Sequence, residues 1–62
     1  MQLDRAKALA LEYGKKLVQG EDYSLDLHTN IMRGVRWEYE DSLHPKQIAE
    51  MEEEDFIEYY LK

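Results

Sequence analysis

The hydroxyl and imidazole side chains are the first candidates for chemistry in this sequence. The candidate nucleophiles are Ser24, Thr29 and Ser42, and the candidate general bases are His28 and His44. No nucleophile-elbow sequence surrounds any of these hydroxyls. Capping of a helix that begins at Pro45 accounts better for Ser42 and His44 than catalysis does. We therefore predict no catalytic residues and a protein that is not an enzyme.

Metal-ligating residues are equally sparse. His28 and His44 lack the i,i+4 spacing that presents two ligands on one helix. The run from Asp22 to Asp26 imitates the first three ligands of a calcium loop. Leu27 then stands where that loop needs glycine, and Arg33 where it needs a bidentate acid. We therefore predict no metal and, since no glycine-rich phosphate loop is present, no cofactor.

The charge is distributed unevenly along the chain. Residues 1–36 hold six Lys or Arg and five Asp or Glu, whereas residues 37–62 hold two and nine, which gives a net charge of −6. A ligand with a phosphate backbone needs clustered Lys and Arg. This distribution therefore predicts no direct binding of nucleic acid. It suits either a protein partner with a basic surface or simply solubility.

The last thirteen residues combine this acidity with large apolar side chains. They hold six carboxylates together with Met51, Phe56, Ile57, Tyr59, Tyr60 and Leu61. Aromatic residues and Arg often dominate the energy of protein interfaces. Tyr59 shares a helical phase with Ile48 and Met51, so Tyr60 is the predicted contact of the two. The predicted partner-binding residues are Glu52, Glu53, Asp55, Phe56, Tyr60, Trp37 and Arg36.

The first third of the chain has the pattern of one helix over residues 2–19. Its apolar face is Leu3, Ala6, Ala10, Tyr13 and Leu17, at helical spacing. Gly20 stands where a left-handed C-cap is expected. Ala6, Ala10 and Gly14 recur every four residues, which predicts a shallow groove that another backbone could approach.

Residues 25–43 fit two structures. Apolar residues recur every four positions from Leu27 to Leu43, which predicts a helix. Alternating residues on either side of 30–34 instead predict a β-hairpin with its turn at that segment. A hairpin would leave Ile31 and Met32 exposed at its tip, whereas a helix keeps both on its apolar side. The helix is therefore the favoured prediction.

The remaining chain predicts helices over 45–51 and 53–61, with a kink or break near 52–54. Pro45 suits the first position of a helix and disfavours helical geometry in the residue before it. The predicted fold is thus an all-α domain of three or four helices spanning residues 1–62, and the alternative is α-β-β-α with a central hairpin. No signal peptide or membrane helix is predicted, which favours the cytoplasm.

Two functions remain after these exclusions. The first is a non-enzymatic acidic interaction module, an inhibitor that occupies a basic or nucleic-acid-binding surface of another protein. The second is a structural subunit that self-associates through the helix-1 groove and the C-terminal aromatics, as a homo-oligomer. The chain resembles, in a generic way, small accessory proteins of bacteria and their phages, and no motif assigns it to a family.

Overall fold

A computed structural model describes residues 1–62. Helix α1 (Leu3–Glu12) leads into strand β1 (Lys15–Gln19), and a 3₁₀ turn (Glu21–Tyr23) connects β1 to β2 (Leu25–Asn30). Strand β3 (Trp37–Leu43) is followed by helix α2 (Pro45–Ala49), helix α3 (Glu53–Phe56) and a π-helical turn (Ile57–Leu61). The chain is a mixed α/β structure, so the prediction of an all-α fold is wrong.

The three strands form an antiparallel sheet in the order β1-β2-β3. Leu17 pairs with Leu27 across β1 and β2, and Leu25 pairs with Leu43 across β2 and β3. The register shifts beyond Leu27, where β3 contains one residue more than β2 and Glu40 has no partner. Such a bulge bends an edge strand and interrupts its pairing.

The helices cover one face of this sheet. Strand side chains alternate between faces, so the paired leucines point to the same side and meet the helices there. Ten buried side chains form a single core: Ala6, Leu9, Ala10, Leu17, Leu25, Leu27, Leu43, Ile48, Phe56 and Leu61. The opposite face carries no helix and is described below as the open face.

The predicted helix over 2–19 is correct only as far as Glu12. Gly14 has φ +71°, the left-handed geometry that ends many helices, and its amide donates to the carbonyl of Leu11. Gly20, the predicted cap, has φ −98° and lies after the strand. Ala6 and Ala10 are fully buried, so the predicted groove is filled by the protein's own core.

The favoured helix over 25–43 is also wrong, and the hairpin alternative agrees roughly with the structure. Leu27 and Leu43, two members of the four-residue pattern, are buried, whereas Ile31, Val35 and Tyr39 are exposed. The pattern therefore arose by coincidence from two strands and a loop. The exposure of Ile31 and Met32, which counted against the hairpin, is present in the structure.

The two C-terminal helices are confirmed. Pro45 occupies the first turn of α2, and the ring of His44 accepts a hydrogen bond from the Lys46 amide, which caps the helix. The break falls at Met51–Glu52, slightly before the predicted position. In the π turn the Lys62 amide donates to the Ile57 carbonyl, a five-residue spacing.

Candidate protein-interaction surfaces

Four of the five side chains that could do chemistry have structural partners, and Thr29 is described below. His44 caps α2, and the His28 ring lies edge-on to the Tyr39 ring at 5.8 Å between centroids. The Ser24 hydroxyl donates to the Glu21 carbonyl oxygen. No pocket opens on the surface, and no three His, Cys, Asp or Glu side chains are grouped to hold a metal ion.

The predicted acidic residues of the C-terminal segment lie on the surface, with unequal availability. Glu53 is paired with Arg5, whose Nε and Nη2 donate to its two carboxylate oxygens at 3.2 and 3.3 Å. Glu52 and Asp55 are exposed and make no ion pair, and Glu54 behaves in the same way. Glu53 therefore serves mainly to join α3 to α1.

The exposure of the C-terminal aromatic residues differs from the prediction. Phe56 has no exposed surface and lies in the core, so it cannot contact a partner while the protein is folded. Tyr60 is half-buried, with its ring 5.9 Å from that of Phe56 and its hydroxyl accepting a hydrogen bond from Gln47. Tyr59, assigned to the core by helical phase, is 75% exposed.

The physical reason is the chain path between α2 and α3. The phase that united Ile48, Met51 and Tyr59 assumes one continuous helix, and the break at Met51–Glu52 removes it. The π turn then places Leu61, five residues after Phe56, in the same core. The exposed face of this element carries Asp55, Glu58 and Tyr59, at spacings of three and four residues. We call Glu52, Glu54, Asp55, Glu58 and Tyr59 the acidic patch.

Glu40 is a second carboxylate that has a partner within the protein. The side chain of Lys15 is largely buried. Its Nζ donates to Glu40 Oε1 at 2.7 Å and to the Thr29 hydroxyl at 2.9 Å. The hydroxyl of Thr29 also donates to Glu40. The hydrogen bonds from Lys15 and Thr29 hold the pKa of Glu40 below its usual range.

This cluster predicts a pH-dependent contribution to stability. A carboxyl with a lowered folded-state pKa stabilises the protein above its unfolded pKa of about 4.3, and the contribution is lost as pH falls through the folded value. We expect Glu40→Gln to lower the free energy of unfolding by about 0.5–1 kcal/mol at pH 7, since the pair is part-exposed. The difference from the parent protein should shrink below about pH 4.

Urea unfolding of both proteins at pH 7 and at acid pH measures this difference. The matched control is Glu38→Gln, because Glu38 lies two residues away on the same strand, is exposed and makes no ion pair. A loss of stability that is equal at both pH values would contradict the assigned role of the Glu40 charge.

The open face of the sheet carries the predicted tryptophan. Trp37 is half-buried, and Lys16 Nζ lies 4.3 Å from the centroid of its ring, a cation–π contact across the sheet. Trp37 pairs with Asn30, and Tyr39 pairs with His28 on the same face. Arg36 precedes this strand and is exposed. Trp37 therefore begins β3 and Arg36 ends the β2–β3 loop, and neither residue lies on a helix.

The β2–β3 loop is a surface of which the sequence analysis selected only Arg36. It presents three apolar side chains: Val35 is 83% exposed, Met32 55% and Ile31 44%. Arg33 and Arg36 are exposed beside them. We call residues 31–36 the hairpin tip. The signal for it was the alternation on either side of 30–34, which predicted the hairpin.

Comparison with known proteins assigns no family to this chain. No family model matches the sequence, and no curated protein or solved structure is significantly similar to it. None of the helices has the length and apolar character needed to cross a membrane.

Proposed function

We propose that this protein is a non-enzymatic interaction module that binds a basic surface of another protein and blocks its access to nucleic acid. The observation that carries the proposal is the acidic patch, where exposed carboxylates flank a tyrosine that is three-quarters exposed. Of these carboxylates only Glu58 is paired, with Lys62 at 3.8 Å. Carboxylates presented along one surface can stand where phosphates would otherwise lie. We further propose that the protein acts in the cytoplasm.

The two kinds of side chain in the acidic patch have different roles in this proposal. Exposed charges mainly accelerate the encounter with an oppositely charged partner, and salt weakens that effect. An exposed aromatic ring that becomes buried at the centre of an interface mainly slows dissociation. Glu52, Glu54 and Asp55 would supply the attraction, and Tyr59 the lasting contact. Tyr60, half-buried against Phe56, would support the position of this segment.

The test begins with capture of partners on the immobilised protein from the lysate of its native cells. The expected result is a captured protein that nucleic acid releases and whose own binding to nucleic acid this protein reduces. Surface plasmon resonance then compares the parent with Glu52→Gln/Glu54→Gln/Asp55→Asn. The neutralised variant should associate more slowly at low salt and approach the parent at high salt. Tyr59→Ala should dissociate faster, by about 2 kcal/mol if Tyr59 is a hot spot.

A control with the same change of charge elsewhere is Asp4→Asn/Glu12→Gln/Glu21→Gln, at exposed positions on α1 and the 3₁₀ turn. Its association rate should be closer to that of the parent than the rate of the neutralised variant is. Equal association rates for the neutralised variant and the parent at low salt would show that the acidic patch serves solubility alone. Capture that nucleic acid does not affect would reject the blocking of a nucleic-acid site.

A further inference from the structure

The hairpin tip differs from the rest of this acidic protein in its charge. Residues 27–37 contain two arginines and no carboxylate, whereas the whole chain has a net charge of −6. The same stretch holds Val35 and Met32, both more than half exposed. An apolar cluster on a convex loop, bordered by one sign of charge, is suited to contact with a surface of the opposite sign.

The tip is also held in a defined conformation. Arg33 and Gly34 have φ of +48° and +87°, and the Val35 amide donates to the Met32 carbonyl, which is the geometry of a tight hairpin turn. The side-chain oxygen of Asn30 accepts hydrogen bonds from the amides of Met32 and Gly34. A loop ordered before binding loses less entropy when it binds.

We infer that the hairpin tip binds the acidic patch of a second copy of this chain. The acidic patch offers carboxylates to Arg33 and Arg36, and it offers the exposed ring of Tyr59 to the apolar side chains of the tip. Met32 is suited to that ring, because methionine sulfur packs favourably against aromatic edges. The contact joins two different surfaces, so two copies can each contribute a tip and a patch. It does not involve Ala6 and Ala10 of α1, which are buried.

The net charge of each copy does not prevent this contact. At physiological ionic strength charges more than about 8 Å apart are largely screened, so the groups at the interface dominate. Salt weakens the local attraction and the overall repulsion together. Exchange of charges between the two surfaces is therefore a sharper test than variation of salt. Because the acidic patch is also the surface proposed for a basic partner, self-association would compete with that binding.

The experiment is sedimentation equilibrium over rising protein concentration. The parent should change from a monomer of 7.5 kDa towards a dimer as the concentration rises. Arg33→Glu/Arg36→Glu should weaken self-association by about tenfold or more, and so should Glu54→Lys/Glu58→Lys. In a dimer of one copy of each variant, both contacts join opposite charges, one as in the parent and one reversed. The mixture should therefore associate more strongly than either variant alone.

The matched control is Glu12→Lys/Glu21→Lys, which makes the same change of charge outside both surfaces and should self-associate as the parent does. Thermal unfolding checks that each variant is folded. If a double variant does not fold, the single variants Arg36→Glu and Glu58→Lys replace it. A parent that stays monomeric to about 1 mM overturns the inference, since weaker binding falls below even small transient interfaces. Binding of that monomer to anionic vesicles would assign the tip to a membrane surface. Unchanged association of the arginine variant, or no recovery in the mixture, also overturns it.

Discussion

Replacing Phe56 by alanine is expected to unfold most of the protein. Phe56 has no exposed surface and is among the largest fully buried side chains of the core. Removal of a buried phenylalanine costs about 3–5 kcal/mol, from lost burial and from the cavity left behind. A chain of this length has a total stability of roughly 3–9 kcal/mol by the usual range per residue. The loss is thus a large share of that total.

Tyr59→Ala is the matched control for this prediction. It removes an aromatic side chain three residues away in the same C-terminal segment, but from a position that is 75% exposed. Its effect on the free energy of unfolding should be well below that of Phe56→Ala. Thermal or urea unfolding, followed by circular dichroism, measures both. If Tyr59→Ala were the more damaging change, the helical phase of this segment would be the one predicted from the sequence.

Leu17→Ala is expected to lower the free energy of unfolding by about 2–5 kcal/mol, the range for truncation of a buried leucine. The sequence analysis placed Leu17 on the apolar face of a helix. In the structure it is 6% exposed and pairs with Leu27 at the centre of the sheet, beneath the helices. Leu17 is buried both in the predicted helix and in the observed strand. The expected loss of stability is therefore the same, although its structural cause differs.

Leu11→Ala makes the same chemical change at a leucine that is 66% exposed. It lies on α1, where alanine is a slightly better helix former, so the expected effect on unfolding is close to zero. Urea unfolding of the two variants separates burial from the chemistry of the substitution. Equal losses would mean that the core does not lie between α1 and the sheet.

The candidate surfaces show how far sequence patterns reach. Charge could be read directly, because Glu52, Glu54 and Asp55 carry it wherever the chain places them. The sequence does not show which of these carboxylates are free to bind a partner. Glu53 is paired with Arg5 and Glu40 with Lys15, residues that are 48 and 25 positions away along the chain. Only a folded chain brings such partners together, so Glu53 is removed from the predicted carboxylates and Glu54 is added to them.

The sequence by itself determined the features that depend on local interactions. Pro45 begins a helix and His44 caps it, because both effects act within a few residues. The helical C-terminal segment and the acidic character of the second half follow in the same way. The left-handed geometry of Gly14 is also local, but the chain could equally have continued the helix at a cost of about 1 kcal/mol.

Tertiary structure decided the strands. A helix makes its backbone hydrogen bonds within one segment, whereas each of these strands must find its partners in another segment. Lys15–Gln19 becomes a strand because β2 pairs with it, and β2 becomes central because β3 pairs with its other edge. The apolar spacing of these short segments fits a helix nearly as well. Pairing between strands, together with burial of Leu17, Leu27 and Leu43 on one face, removes that ambiguity and leaves the hairpin tip exposed.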